Sequence, residues 1–154
     1  QGYLAALQEA GLSFDPALTE QGDWSVQSGR EATERLLART DFTAIFFAND
    51  LMAFGGLEAL KKKGLSVPDD VAIIGFDNRA IASWSDPPLT TMQLPLENIG
   101  RRAAVELVRL IEEPDDAPTS LYRIQEHCPL VVRASCGARA AVGSATSATL
   151  RAME

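Results

Sequence analysis

Apolar residues recur at helical spacing in four parts of the chain. The most regular stripe lies near the middle of the second half and favours a long amphipathic helix. Its members are Leu96, Ile99, Ala103, Leu107, Leu110 and Ile111. Ser25 is a favourable N-terminal cap for another helix, and Gly11 and Gly64 stand where two helices are expected to end. The predicted helices cover residues 2–10, 25–39, 50–63 and 96–112.

Short continuous apolar runs lie between these helical patterns. Residues 43–48 and 71–76 form two such runs, which are typical of parallel strands covered by helices on both faces. A short helix is predicted from Ile81, and residues 87–92 are predicted to be extended. Closing strands are expected over residues 120–126 and 130–133, and the small-residue tail over 137–154 is expected to be disordered.

This alternation of strands and helices, joined by short loops, predicts an α/β fold. We expect a doubly wound, mostly parallel sheet with helices on both faces. The ligand crevice of such a sheet lies at the carboxyl ends of its strands. Asn49 and Asp50 follow the first apolar run, and Asp77 and Asn78 follow the second. These polar residues therefore follow the strands where the ligand crevice is expected.

Length and charge restrict the function classes. The chain has 154 residues, 14 Lys and Arg against 21 Asp and Glu, and a net charge of −7. One domain, or one domain and part of another, suits that length. The acidic balance argues against a surface that lies along nucleic-acid phosphates. No apolar run approaches the ~20 residues that span a bilayer, so no membrane contact is expected.

Metal, cofactor and catalytic sites are not indicated. Cys128 and Cys136 lie outside CxxC spacing, and His127 is the one histidine, so a structural zinc site is disfavoured. Neighbouring residues on a strand point to opposite faces, which argues against a nucleophile made of His127 and Cys128. No glycine-rich phosphate loop follows a predicted strand. We expect no metal, no cofactor and no enzymatic activity.

Five segments occur in an informative order. They are Gly2–Tyr3 with Ala6–Leu7, Ala44–Asp50 with Ala53 and Gly55, Gly64–Asn78, Pro88–Thr91 with Gly100 and Ala103–Ala104, and Arg133–Ser135. Together they closely resemble the effector-binding core of the lactose-repressor and galactose-repressor (LacI/GalR) family of bacterial transcription regulators. That core has the fold of type I periplasmic sugar-binding proteins.

The resemblance implies a division of the chain. Residues 1–94 correspond to the C-terminal lobe of the core, and residues 95–118 to a helix that crosses into the N-terminal lobe. Residues 119–136 supply closing strands, and residues 137–154 form the tail. Family members also carry a helix-turn-helix domain, a hinge and an N-terminal lobe, which this chain is expected to lack as a fragment. The apolar stripe of the crossing helix is then expected to pair with a second copy or to fold against its own lobe.

The resemblance also implies a function. The chain is expected to be the ligand-sensing domain of a cytoplasmic DNA-binding transcription regulator, usually a repressor, that binds a sugar or related metabolite. Its implied partners are the small-molecule effector, a second copy in a homodimer, and operator DNA through the missing helix-turn-helix domain. A periplasmic sugar-binding protein of a transport system, which shares the fold, is the alternative. An enzyme on the same type of sheet is a further alternative that the lack of a catalytic set disfavours.

Four residues are candidates for effector contact. The carboxylate of Asp77 can accept two hydroxyl hydrogen bonds, and the amide of Asn49 offers a donor and an acceptor. Asp50 follows directly, and the aromatic face of Trp24 suits a sugar ring. The alternatives are a loop carboxylate for Asp77, helix caps for Asn49 and Asp50, and ordinary packing for Trp24. Gln93 stands one place earlier than the Gln of many family members, so no contact is carried over from it.

Four apolar residues are candidates for a dimer interface. Phe54 and Leu57 lie three apart on one predicted helix, and Ile81 and Trp84 precede Pro87 in a segment that borders the family's dimer contact. Apolar and aromatic side chains commonly anchor such interfaces. The alternative is that Leu57 and Ile81 belong to the core.

Overall fold

The computed structural model of the chain describes residues 1–112 and 123–138. Three expectations therefore lie wholly or partly outside the described residues. They concern the segment after the crossing helix, the start of the first closing strand and the tail over 139–154.

Four α-helices form where the apolar spacing predicts them. They are α1 (Gly2–Glu9), α2 (Val26–Arg39), α3 (Asp50–Lys62) and α4 (Leu96–Glu112), and short 3₁₀ turns cover Pro16–Leu18, Ala80–Ser83 and Ala134–Cys136. Local capping sets their ends. The Ser25 hydroxyl accepts a hydrogen bond from the Ser28 amide at 3.1 Å at the start of α2. Gly11 and Gly64 have φ of +68° and +79° just beyond α1 and α3.

The strands form one four-stranded sheet, which confirms the predicted mostly parallel α/β fold. They are β1 (Ala44–Phe46), β2 (Ala72–Asp77), β3 (Thr90–Gln93) and β4 (Leu130–Val131), in the order β1-β2-β3-β4. The first three are parallel and β4 is antiparallel to β3. In this register Ile74 lies opposite both Phe46 and Thr90, and Asp77 lies opposite Gln93.

Two strand predictions need correction. The run over 43–48 was expected to be covered on both faces, but Phe46 is 58% exposed. Strand β1 lies at the edge of the sheet, and the elements of the described chain leave Phe46 open to solvent. In the closing segment, residues 123–126 are not a strand, and the described strand there is β4 alone. Glu126 instead pairs with Arg102 of α4 at 2.5 Å.

The core lies between the sheet and α3. Its buried apolar residues are Phe47, Met52, Ala53, Leu60, Val71, Ile73, Ala82 and Leu89. Helix α2 packs on α3 at close range, because two glycines allow their backbones to meet. A Cβ at Gly29 would lie 2.1 Å from the Met52 carbonyl oxygen, and one at Gly55 would lie 1.9 Å from the Val26 carbonyl oxygen.

The closing segment ties the last strands together from outside the sheet. The Thr90 amide donates to the Ser135 hydroxyl at 2.8 Å, and that hydroxyl donates to the Ile73 carbonyl oxygen at 2.7 Å. The Ser135 amide donates to the Pro88 carbonyl oxygen at 3.1 Å. All of Thr90 and Ser135 is buried, so these bonds satisfy polar groups that water cannot reach.

The apolar stripe of α4 is exposed in this chain. Leu96, Leu107 and Ile111 are 66%, 59% and 69% exposed, and α4 has no buried residue. The stripe therefore does not fold against its own lobe among the described residues, and pairing with another surface stays a prediction. None of the helices within 1–112 and 123–138 is long and apolar enough to cross a membrane.

The glycine contact between α2 and α3 generates a stability prediction. Replacing Gly55→Ala places a methyl group against the backbone of α2, and overpacking of this kind costs about 1–3 kcal/mol. The matched control is Gly100→Ala in the middle of α4, where nothing lies within 4 Å of the added Cβ. Because Ala is the better helix former, that control is expected to be neutral or stabilising by up to about 1 kcal/mol.

Urea denaturation followed by circular dichroism measures both free energies of unfolding. Equal effects of Gly55→Ala and Gly100→Ala would show that α2 and α3 do not meet at glycine in solution.

Candidate functional site

The candidate site lies at the carboxyl ends of the parallel strands, as the sequence predicts. Strand β1 leads into Asn49 and Asp50 at the start of α3, and β2 ends at Asp77. Because β1 and β2 are adjacent and parallel, their polar ends meet at one edge of the sheet. The loop before α2 brings Trp24 to the same edge, since the Asn49 side chain donates to the Trp24 carbonyl oxygen at 3.0 Å.

Asp77 and Asn78 form a strained turn at this edge. Their φ values are +118° and +56°, in the region that residues with a side chain rarely adopt. Such conformations persist where surrounding bonds hold them, and they cluster at ligand sites. The Asn78 amide donates to the Thr91 hydroxyl at 3.3 Å. We call these two residues the Asp77–Asn78 turn.

The Asp77 carboxylate is partly open to solvent. Its side chain is 19% exposed, and the Arg79 guanidinium donates to one carboxylate oxygen from Nε at 3.1 Å. Arg79 is itself half exposed. Within the described chain, Arg79 is the side chain that binds this carboxylate, so Asp77 keeps capacity to accept hydrogen bonds from a ligand.

The Asp50 carboxylate is completely buried and has partners on both oxygens. Thr91 donates to Oδ1 from its hydroxyl at 2.6 Å, and the Arg79 backbone amide donates to Oδ2 at 2.8 Å. Burial raises the pKa of Asp50 above its ordinary value of 3.8, although the hydrogen bonds from Thr91 and Arg79 act to lower it. Gly75 is required beside it, because a Cβ there would lie 2.4 Å from Oδ1.

Asn49 is the N-terminal cap of α3. Its side-chain oxygen accepts from the Met52 amide at 2.8 Å, and its side-chain nitrogen holds the Trp24 carbonyl oxygen. Only 5% of the residue is exposed. The structure thus shows Asn49 and Asp50 supporting the site from within, and a direct contact of either with an effector stays a prediction.

Trp24 is presented to solvent on a well-held loop. It has φ of +72° and is 63% exposed. On its N-terminal side, the Asp23 carboxylate accepts from the Ser25 amide at 3.0 Å and from the Ser25 hydroxyl at 2.5 Å. The hydrogen bond from the Ser25 side chain lowers the pKa of Asp23, so this capping carboxylate is ionised at neutral pH.

Several supporting residues carry no site role in the sequence interpretation. They are Asn78, Arg79, Thr91 and Arg133. Thr91 and Arg133 lie in the Pro88–Thr91 and Arg133–Ser135 segments, which were informative for fold alone. Their partners are distant in sequence, Thr91 lying 41 residues from Asp50, so no local pattern identifies the contacts.

The four candidate interface residues lie on one side of α3 and the turn after β2. Phe54 and Leu57 are half-buried and line a groove of about 510 Å³ together with Pro87. Ile81 and Trp84 are 43% and 80% exposed and do not line the groove, which the chain reaches at Ser85. Its remaining lining residues are Glu58, Lys61, Leu65, Ser66, Val67, Ser85 and Asp86. Leu57 also packs on the core, in line with the alternative for that residue.

The sequence interpretation expected no metal site. Among the residues that the structure describes, no three His, Cys, Asp or Glu side chains are grouped to hold an ion.

The raised pKa of Asp50 generates a prediction about pH. Since the native carboxyl binds a proton more readily than the unfolded one, Asp50 contributes most stability below its unfolded pKa. That contribution is lost as pH rises through the native pKa. Relative to Asp50→Asn, the wild-type chain is therefore expected to lose stability as the pH rises above the ordinary pKa of 3.8, as urea denaturation at several pH values measures.

Asp70 is a control of opposite sign. Hydrogen bonds from the Ser66 side chain and amide lower the pKa of Asp70, so its stabilisation is present above the unfolded pKa and is lost on acidification. Relative to Asp70→Asn, the wild type should therefore gain stability as pH rises. Parallel pH curves for wild type and Asp50→Asn would contradict the burial of a titrating carboxyl.

Comparison with known proteins identifies the family. Residues 1–136 match the periplasmic binding protein-like domain. The HTH-type transcriptional repressor CytR of Escherichia coli strain K12 is 38% identical over 136 residues, which are 88% of this chain and 39% of CytR. The chain thus spans about two fifths of the length of the curated relatives that it matches.

Solved structures agree with the sequence match. A complex of the transcriptional regulator CelR with cellobiose superposes with a TM-score of 0.81 at 38% identity, covering 88% of this chain and 41% of that one. A LacI family transcriptional regulator from Enterococcus faecium with bound ribose gives a TM-score of 0.75 at 29% identity, covering 88% and 49%. The resemblance to LacI-type regulators is confirmed by these relatives, and the chain belongs to the periplasmic binding protein-like domain family.

Proposed function

We propose that the chain is the C-terminal lobe of the effector-sensing core of a LacI-type transcription regulator that binds a sugar or related small metabolite. The relatives are transcription regulators rather than enzymes. Since the chain spans about two fifths of their length, the second lobe and the DNA-binding segment would come from the rest of a longer protein. Operator DNA would be bound there, in the cytoplasm, and not by this acidic lobe.

The observation that carries the proposal is the pairing of an open carboxylate with an exposed indole at the ends of parallel strands. Asp77 is held in a strained turn with acceptor capacity left over, and Trp24 is 63% exposed on a loop fixed to the start of α3. A sugar offers hydroxyl donors and an apolar ring face. One carboxylate accepts two such hydroxyls, and an aromatic ring stacks on the ring face.

In this proposal Asn49 and Asp50 support the effector site indirectly, because each holds a neighbouring group in place. Asn49 fixes the carbonyl of Trp24, and Asp50 fixes the amide of Arg79, whose side chain pairs with Asp77. A ligand that replaces Arg79 on the carboxylate, or bridges both groups, would alter these contacts. Direct hydrogen bonds from the effector to Asn49 or Asp50 would then need these buried groups to become accessible.

The regulatory step would be a shift between two arrangements of the lobes. A ligand changes such an equilibrium only by its difference in affinity for the two states. A cleft that closes on the sugar provides this difference, because the second wall contacts the ligand only when closed. Repression follows the function named for CytR.

The regulator is favoured over a periplasmic transport protein of the same fold. CytR is named as an HTH-type repressor, and the two sugar complexes are named as regulators. The sequence that precedes Gln1 in the gene would separate the two functions, since a regulator has a helix-turn-helix there.

We also propose that Phe54, Leu57, Ile81 and Trp84 take part in a homodimer. Phe54 and Leu57 line a groove, and Trp84, next to the lining residue Ser85, is the most exposed large apolar residue in the described chain. Aromatic residues next to an apolar pocket are frequent anchors of protein interfaces.

Ligand binding is tested on the longer regulator with a thermal-shift panel that includes cellobiose and ribose. A ligand that binds only the native state raises the melting temperature. Asp77→Ala should weaken binding at least about tenfold, because hydrogen bonds to a charged group contribute about 1.5–3 kcal/mol each. The matched control is Asp69→Ala, since Asp69 is an exposed carboxylate in the turn before β2.

Fluorescence gives a second measurement of the same proposal. The chain has two tryptophans, so Trp84→Phe leaves Trp24 as its sole indole. Sugar should change the emission of Trp84→Phe and leave the emission of Trp24→Phe unchanged. Binding that survives Asp77→Ala and does not affect Trp24 would place the ligand elsewhere.

Dimerisation is tested by sedimentation velocity over a concentration series. Truncation of an interface anchor costs about 2 kcal/mol or more, so Trp84→Ala should raise the dimer dissociation constant roughly 30-fold. Trp24→Ala, which removes the other exposed indole at the proposed effector site, should leave the dissociation constant unaltered. A dimer of unchanged strength in Trp84→Ala would remove this face from the interface.

A further inference from the structure

Arg133 joins the closing segment to the candidate site. Its backbone amide donates to the Thr90 hydroxyl at 2.8 Å. Its guanidinium forks, with Nη1 donating to the Leu89 carbonyl oxygen and Nη2 to the Asn78 side-chain oxygen, both at 2.7 Å. The residue is half-buried. One side chain therefore connects the start of β3 with the Asp77–Asn78 turn, across 55 residues of sequence.

The bond from Arg133 is the shortest of the hydrogen bonds that hold Asn78. Two other contacts hold Asn78, its amide on the Thr91 hydroxyl at 3.3 Å and its side-chain nitrogen near the Gln93 side-chain oxygen at 3.5 Å. The bond from Arg133 is shorter and carries a full charge, and charge-assisted bonds are roughly twice as strong as neutral ones. Because Asn78 has φ of +56°, its conformation depends on such contacts.

The geometry requires a guanidinium. A planar fork reaches two acceptors in fixed directions, whereas a lysine ammonium is a single point at the end of a flexible chain. Lys at this position would keep the positive charge and could donate to the Leu89 carbonyl oxygen or to the Asn78 side-chain oxygen. It would not hold these two acceptors in a fixed relative position.

We infer that Arg133 is a positioning residue for the effector site: through Asn78 it fixes the direction of the Asp77 carboxylate, without touching the ligand. The inference rests on the proposed function insofar as Asp77 binds the effector. It adds that the segment following the crossing helix determines ligand affinity, although it lies outside the strand ends that hold the ligand.

A merely structural role is the competing explanation, and Ser135 provides the control for it. Ser135 lies two residues further in the same closing segment and is completely buried. It bonds to Thr90 and to Ile73, but it has no bond to the turn. Ser135→Ala should therefore lower stability while leaving the Asp77–Asn78 turn in place.

The first test needs no ligand. In ¹⁵N-labelled protein, Arg133→Lys should shift the side-chain amide signal of Asn78 and the backbone amides of Asp77 and Asn78. Ser135→Ala should shift these signals much less, even if its melting temperature falls as far. Turn signals that are unchanged in Arg133→Lys would overturn the inference.

The second test titrates cellobiose into the longer regulator, well below the melting temperature of every variant. Arg133→Lys should weaken binding on the order of tenfold, the effect of losing one hydrogen bond between a ligand hydroxyl and the misdirected Asp77 carboxylate, and Ser135→Ala should weaken it by less than about twofold. In a double-mutant cycle, Arg133→Lys should add nothing to Asn78→Ala, because both act through one contact.

Full affinity in folded Arg133→Lys, or additive effects in the cycle, would overturn the inference. If the wild type binds neither cellobiose nor any other sugar of the panel, the proposed function fails instead. The amide signals of the turn then decide the role of Arg133 alone.

Discussion

The buried carboxylate of Asp50 is the constraint on which the site depends. A charged group with no exposure to water is tolerated only when hydrogen-bond donors surround it, and here one donor comes from β3 and one from the chain after β2. Its oxygen also requires glycine at position 75. The Arg79 amide that binds Asp50 comes directly after Asp77 and Asn78, the two residues with positive φ. The strained turn thus lies next to a donor of the buried carboxylate.

The same arrangement leaves few groups for a ligand and holds them firmly. The polar atoms of Asn49 and Asp50 bind partners within the protein, whereas the Asp77 carboxylate and the Trp24 ring keep surface open to solvent. The affinity for a ligand is then higher if Asp77 and Trp24 are already held in place, because conformational freedom lost on binding lowers affinity. Bonds behind the surface therefore matter as much as the surface itself, which is why the Arg133 contact is expected to be visible in a binding constant.

The sequence predicts those parts of the fold that are decided locally. Helix ends are one example, because Ser25 and Asn49 cap with their own side chains and Gly64 supplies the positive φ after α3. Strand β1 shows the limit. Its apolar run is typical of a strand that is covered on both faces. In the structure Phe46 is exposed, since exposure depends on which elements lie next to this edge strand. An apolar pattern predicts that a strand is covered, but it does not predict which element covers the strand.

The candidate site shows the same limit for polar residues. A polar side chain after a parallel strand can bind either a ligand or a partner within the protein. The same residue types serve both roles, so residue type does not distinguish them. Asn49, Asp50 and Asp77 are all candidates because of their position after a strand, but their exposure differs. Asn49 is 5% and Asp50 is 0% exposed, whereas the side chain of Asp77 is 19% exposed. What decides between the uses is a partner far along the chain, Thr91 for Asp50 and Trp24 for Asn49. Since Arg133 meets Asn78 across 55 residues, its role follows from the fold alone. Sequence thus locates the sheet edge of the proposed effector site, and long-range hydrogen bonds determine which of its side chains stay open to solvent.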